Sequence, residues 1–77
     1  MKALVEYIVK SLVETPEEVV IREARRAGRL VLELRVSKAD MGRVIGKDGR
    51  VVNAIRTLLR VLAEREGMPI SLDVTEP

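Results

Sequence analysis

The sequence predicts an α+β domain of order α-β-β-α-α-β, with a three-stranded mixed sheet covered by helices on one face. Three observations carry that expectation. Residues 30–36 alternate apolar and polar side chains with a period of two, residues 1–14 and 50–66 carry apolar side chains at helical spacing, and glycine or proline punctuates the boundaries between these segments. The 77 residues allow one domain, spanning 1–77. A chain this short buries only about 60% of its unfolded surface, so it has room for a single core layer. Its 47% hydrophobic content, nearly all aliphatic, supplies that layer and argues against disorder.

Taken in order, Leu4, Val5, Ile8, Val9 and Leu12 form one stripe of an amphipathic helix over residues 1–14, with Lys2, Glu6 and Lys10 opposite. Thr15-Pro16 ends it, because proline disfavours a helical residue before it. The β-branched run Val19-Val20-Ile21 opens a strand reaching Arg26, and Gly28 marks a hairpin turn. In the return strand Leu30, Leu32, Leu34 and Val36 point to the core, while Val31, Glu33 and Arg35 point to a largely polar face. Ser37-Lys38-Ala39-Asp40 has the form of a helix start, and Met41, Val44 and Ile45 give the next short helix its apolar side. Gly46-Lys47-Asp48-Gly49 interrupts the helical pattern. It resumes through Val51, Ile55, Leu58 and Leu62, widened by Val52 and Leu59, until Gly67 and Pro69 stop it. Ile70, Leu72 and Val74 then alternate with Ser71, Asp73 and Thr75 as the last strand. The two-helix passage between strands two and three is long enough for a crossover, so that pair is parallel.

Composition removes most functions. No cysteine and no histidine means no disulfide framework, no thiolate zinc site, no cysteine nucleophile and no imidazole base. No cofactor or metal site is expected, nor enzymatic activity. Glu17-Glu18 and the Glu64/Glu66 pair have neither a partner base nor metal-ligand spacing, and Tyr7, the single aromatic, reads as helix surface. The first residues carry charges inside their apolar stretch, unlike a signal peptide, and no apolar run approaches membrane-spanning length, so a cytoplasmic location without a membrane is expected. Net charge is only +2, but residues 22–63 hold eleven basic groups against four acidic ones, and the two ends hold three against eight. A strongly basic middle between acidic ends suggests a face for a polyanion.

The segment Val44-Ile45-Gly46-Lys47-Asp48-Gly49-Arg50-Val51-Val52-Asn53-Ala54-Ile55 carries the chemistry. A bare G-x-x-G is a weak pattern. Here, however, it joins two helices through a very short connection and feeds the N-terminus of the 50–66 helix, where unpaired N–H groups favour an anion. Lys47 and Arg50 add positive charge at the same place, and Asp48 is placed to cap the following helix. A nucleotide-binding P-loop is excluded by the three-residue spacing of Gly42 and Gly46 and by Asp48 where a Ser or Thr belongs. Aromatic RNA-binding platforms are excluded for want of rings.

These residues resemble the V-I-G-x-x-G-x-x-[IV]-x-x-I signature of KH domains, whose GxxG loop clamps about four nucleotides. The element order resembles the type II arrangement. The match covers essentially the whole chain, which is similar to the small bacterial single-KH RNA-binding proteins of the KhpA (YlqC-like) family. The resemblance implies that Gly46, Lys47, Asp48 and Gly49 clamp the backbone of single-stranded RNA. It implies further that Val44, Ile45, Val52 and Ile55 line or support an aliphatic groove for bases, and that Arg43, Arg50 and Arg56 contact phosphates or base edges at its rim. Asp48 departs from a Lys/Arg pair and should weaken phosphate attraction there. The same resemblance implies a homodimer, a larger KH-containing protein partner, and work as an RNA chaperone or post-transcriptional regulator linked to cell elongation and cell shape. The competing expectation is a protein-interaction or ribosome-assembly module whose groove serves oligomerisation or binds structured RNA.

Overall fold

The computed structural model describes residues 1–75. Helix α1 spans Lys2–Leu12, strand β1 Val20–Arg26, strand β2 Arg29–Arg35, helix α2 Met41–Ile45, helix α3 Arg50–Glu66 and strand β3 Ile70–Thr75, with single 3₁₀ turns at Pro16–Glu18, Lys38–Asp40 and Lys47–Gly49. The sheet order is β1-β2-β3. β1 and β2 are antiparallel, with Ile21 opposite Leu34 and Arg26 opposite Arg29. β2 and β3 are parallel, with Leu32 opposite Leu72. This is the predicted mixed sheet and α-β-β-α-α-β order.

The period of two in β2 puts Leu32 and Leu34 at 0% exposure against Val5 and Val9 of α1, Val44 of α2 and Val52, Ile55 and Leu59 of α3. Burying a Val or Leu is worth roughly 1.5–3 kcal/mol each, so this cluster dominates stability. The parallel β2–β3 pair is possible because α2 and α3 make the crossover between them. Ala27 and Gly28 both have positive φ, 51° and 75°, as a tight hairpin turn requires.

Four local expectations change. Helix α1 stops at Leu12 rather than 14, because the N–H groups of Glu14 and Thr15 leave the helix for the carboxylate of Asp40. The core stripe of α3 is Val52, Ile55 and Leu59, whereas Leu58 is 39% and Val61 49% exposed. Likewise Val5 and Val9 are the buried positions of α1, with Leu4 and Leu12 exposed. Finally, Val31 is 8% exposed on the open sheet face, between Ala24 and Ser71, so the centre of that face is closed rather than polar. The helices also leave part of β1 uncovered: Glu23 and Arg25 share the face of Ile21 yet are exposed.

Candidate nucleic-acid interface

The two helices that flank the Gly46–Gly49 loop must be held firmly if the loop is to present a fixed surface, and α2 is only five residues long. Asp40 supplies the anchor. Its side chain is 1% exposed and accepts hydrogen bonds from the N–H of Glu14 at 3.1 Å, the N–H of Thr15 at 3.0 Å and the Ser37 hydroxyl at 3.0 Å. Arg43 adds a charge-assisted bond at 3.2 Å. The Glu14 amide above all, then Thr15, Ser37 and Arg43, hold this carboxyl below its usual value, against burial, which pushes it up. The S-x-x-D motif is therefore not a capping box. It is a buried knot that ties the end of α1 to the start of α2.

The loop follows. The N–H of Gly46 closes α2 on the carbonyl of Gly42 at 2.9 Å, and the N–H of Gly49 donates to the carbonyl of Gly46 at 3.1 Å. The amides of Lys47 and Asp48 donate to no protein acceptor in this connection. Gly46 has φ 77° and ψ 168°, a conformation essentially confined to glycine. A Cβ there would meet the Val51 side chain at 2.5 Å and its backbone N at 2.8 Å. Asp48 has φ 56° and makes no cap bond; Gly49 occupies the N-cap position of α3. The expected capping role of Asp48 is thus not met, because its left-handed backbone turns the residue outward. Lys47 and Asp48 are both exposed. The result is a turn offering two N–H groups without a backbone acceptor beside an exposed ammonium, immediately before a 17-residue helix.

α3 has two flanks on either side of its core stripe. One, carrying Arg56, Arg60 and Ala63, faces β3, the edge strand of the sheet. Arg56 donates to the carbonyl of Leu72 through Nη2 at 3.0 Å and Nε at 3.4 Å. An open hollow of about 370 Å³ lies along this flank. The other flank forms an apolar hollow of about 380 Å³ with Ile8 of α1, Val51, Ala54 and Leu58.

The predicted site residues separate accordingly. Gly46, Lys47, Asp48 and Gly49 form the loop, and Arg56 lies in the hollow beside β3. Val44 and Val52 are 0% and 4% exposed and support the surface from the core; Ile55, 5% exposed, also reaches the apolar hollow on the flank away from Arg56, and Ile45 is half-buried. Arg43 is engaged by Asp40, by Glu14 and by the Ala39 carbonyl. Arg50 lines the apolar hollow, on the flank opposite Arg56. Arg60, one of the basic groups of the central segment, is not among the expected site residues, although its spacing of four from Arg56 places both on one helix face. Arg29 also reaches this hollow, which only the pairing of β2 with β3 reveals. Among the described residues no group of three or more acidic, His or Cys side chains could hold a metal ion, and no helix is long and apolar enough to cross a membrane.

Comparison with known proteins gives the family. The family model described as KhpA/KhpB, KH domain, matches residues 2–74. The chain is 46% identical over 76 residues to the RNA-binding protein KhpA of Chlamydia trachomatis, covering 99% of this chain and 97% of that one. It is 46% identical over 74 residues to the RNA-binding protein KhpA of Clostridium perfringens, covering 96% and 99%. Against the Listeria monocytogenes RNA-binding protein KhpA the identity is again 46%, over 76 residues, with coverage of 99% and 100%. A crystal structure of Aquifex aeolicus Era superposes with a TM-score of 0.62 at 20% identity, covering 97% of this chain and 29% of the Era chain; that likeness speaks to the fold alone. With its sheet order, its glycine loop and a family match over nearly its whole length, this chain belongs to the KhpA/KhpB KH-domain family.

Proposed function

We propose that this protein is a cytoplasmic, non-enzymatic module that binds single-stranded RNA, seating the phosphate backbone on Gly46–Gly49 and the bases along the hollow between α3 and β3. The observation that carries the reading is the pair of acceptor-free amides at Lys47 and Asp48, held by a Gly46 conformation that excludes a side chain. Such a nest binds an oxyanion by its N–H dipoles, and the Lys47 ammonium adds a salt-sensitive attraction. The relatives named RNA-binding protein KhpA make RNA the favoured polyanion. Without aromatic platforms, affinity rests on backbone contacts, aliphatic surface and arginine, which favours short, weakly sequence-selective contacts of the kind an RNA chaperone or post-transcriptional regulator makes.

A single groove of this size binds weakly, so a second site in the same assembly raises the effective concentration. The apolar flank of α3, with Leu58 and Val61 exposed beside Ile8 and Leu4, supports pairing with a second copy or with a larger KH-containing partner, in a role tied to cell elongation. Because that flank lies opposite Arg56, association and RNA binding use separate surfaces. This favours the RNA reading over one in which the groove itself serves oligomerisation.

Lys47→Asp tests the reading. It reverses the charge beside the two amides and, with Asp48, places two carboxylates at the nest. Affinity for a short single-stranded RNA should fall at least about tenfold at physiological salt. The thermal midpoint and the sedimentation behaviour should stay as in the parent protein. Undiminished RNA affinity would sink the proposal.

A further inference from the structure

We propose that bound RNA does not end beside Arg56 but continues to the far end of the same α3–β3 hollow, where Arg60 and Arg29 form a cationic ledge at the end of the sheet. This extension rests on the RNA reading above. Arg60 lies four residues beyond Arg56, about 6 Å further along α3 from the Gly46–Gly49 loop. Arg29, the first residue of β2, belongs to the open sheet face, yet its Nη1 donates to the Ser71 hydroxyl of β3 at 2.9 Å. That bond draws the guanidinium to the edge strand and into the hollow that Arg56 and Arg60 line. Three guanidinium groups from α3 and β2 therefore converge on one open hollow, and no carboxylate lines it.

Among the described residues, Lys10, Arg26 and Arg43 are in ion pairs with Glu6, Glu33, and Glu14 and Asp40 respectively, whereas Arg29, Arg56 and Arg60 are in none. Most other basic groups among the described residues are likewise in no ion pair, so what distinguishes this cluster is the convergence of three guanidinium groups on one hollow with no carboxylate in its lining. Gathering like charges without partners costs stability, and a polyanion reverses that cost on binding. Arg29 spends one of its five donors on Ser71, which leaves the rest of its fork for a phosphate. From Arg50 to Arg60 the helix rises about 15 Å, so Arg60 and Arg29 stand past the reach of a strand clamped only at the loop. The ligand class is a continuous single-stranded RNA longer than the four nucleotides a KH groove takes. An acidic polypeptide would need only the ledge and not the loop.

The variant Arg29→Gln/Arg60→Gln keeps both side-chain stems while removing both charges. Its binding to a decauridylate and to a tetrauridylate is measured by fluorescence anisotropy across a salt series. Loss of two phosphate contacts should make the decamer's log–log salt slope shallower by about 1.4 and weaken binding about tenfold near 0.15 M salt, with the tetramer unaffected. The proposal is overturned by unchanged decamer affinity, or by an equal loss on the tetramer. It is equally overturned if Lys2→Gln/Arg25→Gln, which removes the same charge near the β1 edge, costs as much. Polyglutamate that displaces the decamer from the parent protein but not from the Arg29→Gln/Arg60→Gln variant would reassign the ledge to acidic peptides. Lys47→Asp run alongside separates the two claims. If it abolishes decamer binding while the double variant does nothing, only the extension falls; if it leaves decamer affinity intact, the loop reading falls first.

Discussion

Replacing Gly46 with alanine is expected to destabilise the fold by about 3–5 kcal/mol, a large share of the 5–15 kcal/mol available to a typical domain. Two physical terms add. The backbone at φ 77°, ψ 168° is held by the closing bonds on either side, and a non-glycine residue there costs roughly 1–3 kcal/mol. The new methyl would sit 2.5 Å from Cγ2 and 2.8 Å from the backbone N of Val51, and since backbone cannot swing aside as a long side chain can, overpacking adds about 1–3 kcal/mol. The other glycines of this region provide the scale. At Gly49, φ is 75° but the nearest atom to a Cβ is Asn53 Nδ2 at 3.4 Å, so alanine should cost only about 1–2 kcal/mol. At helical Gly42 nothing lies within 4 Å, and alanine should stabilise by about 0.5–1 kcal/mol. Urea unfolding of the three variants checks the order. Equal costs at Gly46 and Gly49 would refute the close contact with Val51.

The second large effect is at Asp40. Asp40→Asn leaves two converging backbone donors, from Glu14 and Thr15, facing an amide that offers one acceptor oxygen, while Arg43 loses its buried counter-charge. The midpoint should fall on the order of 10 °C for a domain of this size. Its pH dependence has a definite sign. The folded carboxyl is held below its ordinary value of 3.8, so its contribution is fully present above that pH and disappears as the pH falls through the folded value. The gap in midpoint between parent and Asp40→Asn should therefore be constant from pH 7 to 5 and shrink below 3.8. A gap that instead closes between pH 7 and 5 would show that a different group carries the linkage. Since Asp40 tethers α2, the variant should also loosen the Gly46–Gly49 loop, visible as faster amide exchange at Lys47 and Asp48.

Much of the architecture follows from local pattern. The alternation through Leu30–Val36 determines both the strand and its buried face, and Gly67 stops α3 in the left-handed conformation its position suggests, at φ 68°. The glycine loop was legible because the helical pattern breaks there and nowhere else between 41 and 66. The choice of core line on α3 was not, since Val51, Val52, Ile55, Leu58, Leu59 and Leu62 form one continuous apolar arc of about 120°; only the crossover geometry selects Val52, Ile55 and Leu59. That choice decides which arginine faces β3, sending Arg56 to the groove and Arg50 to the apolar flank. Arg43 looked available because its partners, Glu14 and Asp40, meet it through a contact 29 residues away along the chain in the first case. Asp40 itself reads locally as a helix-start residue; its role depends on the amides of Glu14 and Thr15, 26 and 25 residues distant.

The proposed division of α3 into an RNA-binding flank and an apolar flank is tested most directly by an amide-resolved NMR titration with a short single-stranded RNA. The predicted result is shifts concentrated at Gly46–Gly49, around Arg56 and along Ile70–Leu72, with Tyr7, Ile8, Leu58 and Val61 unchanged. Shifts centred on those last four residues, with Lys47 and Asp48 silent, would contradict it.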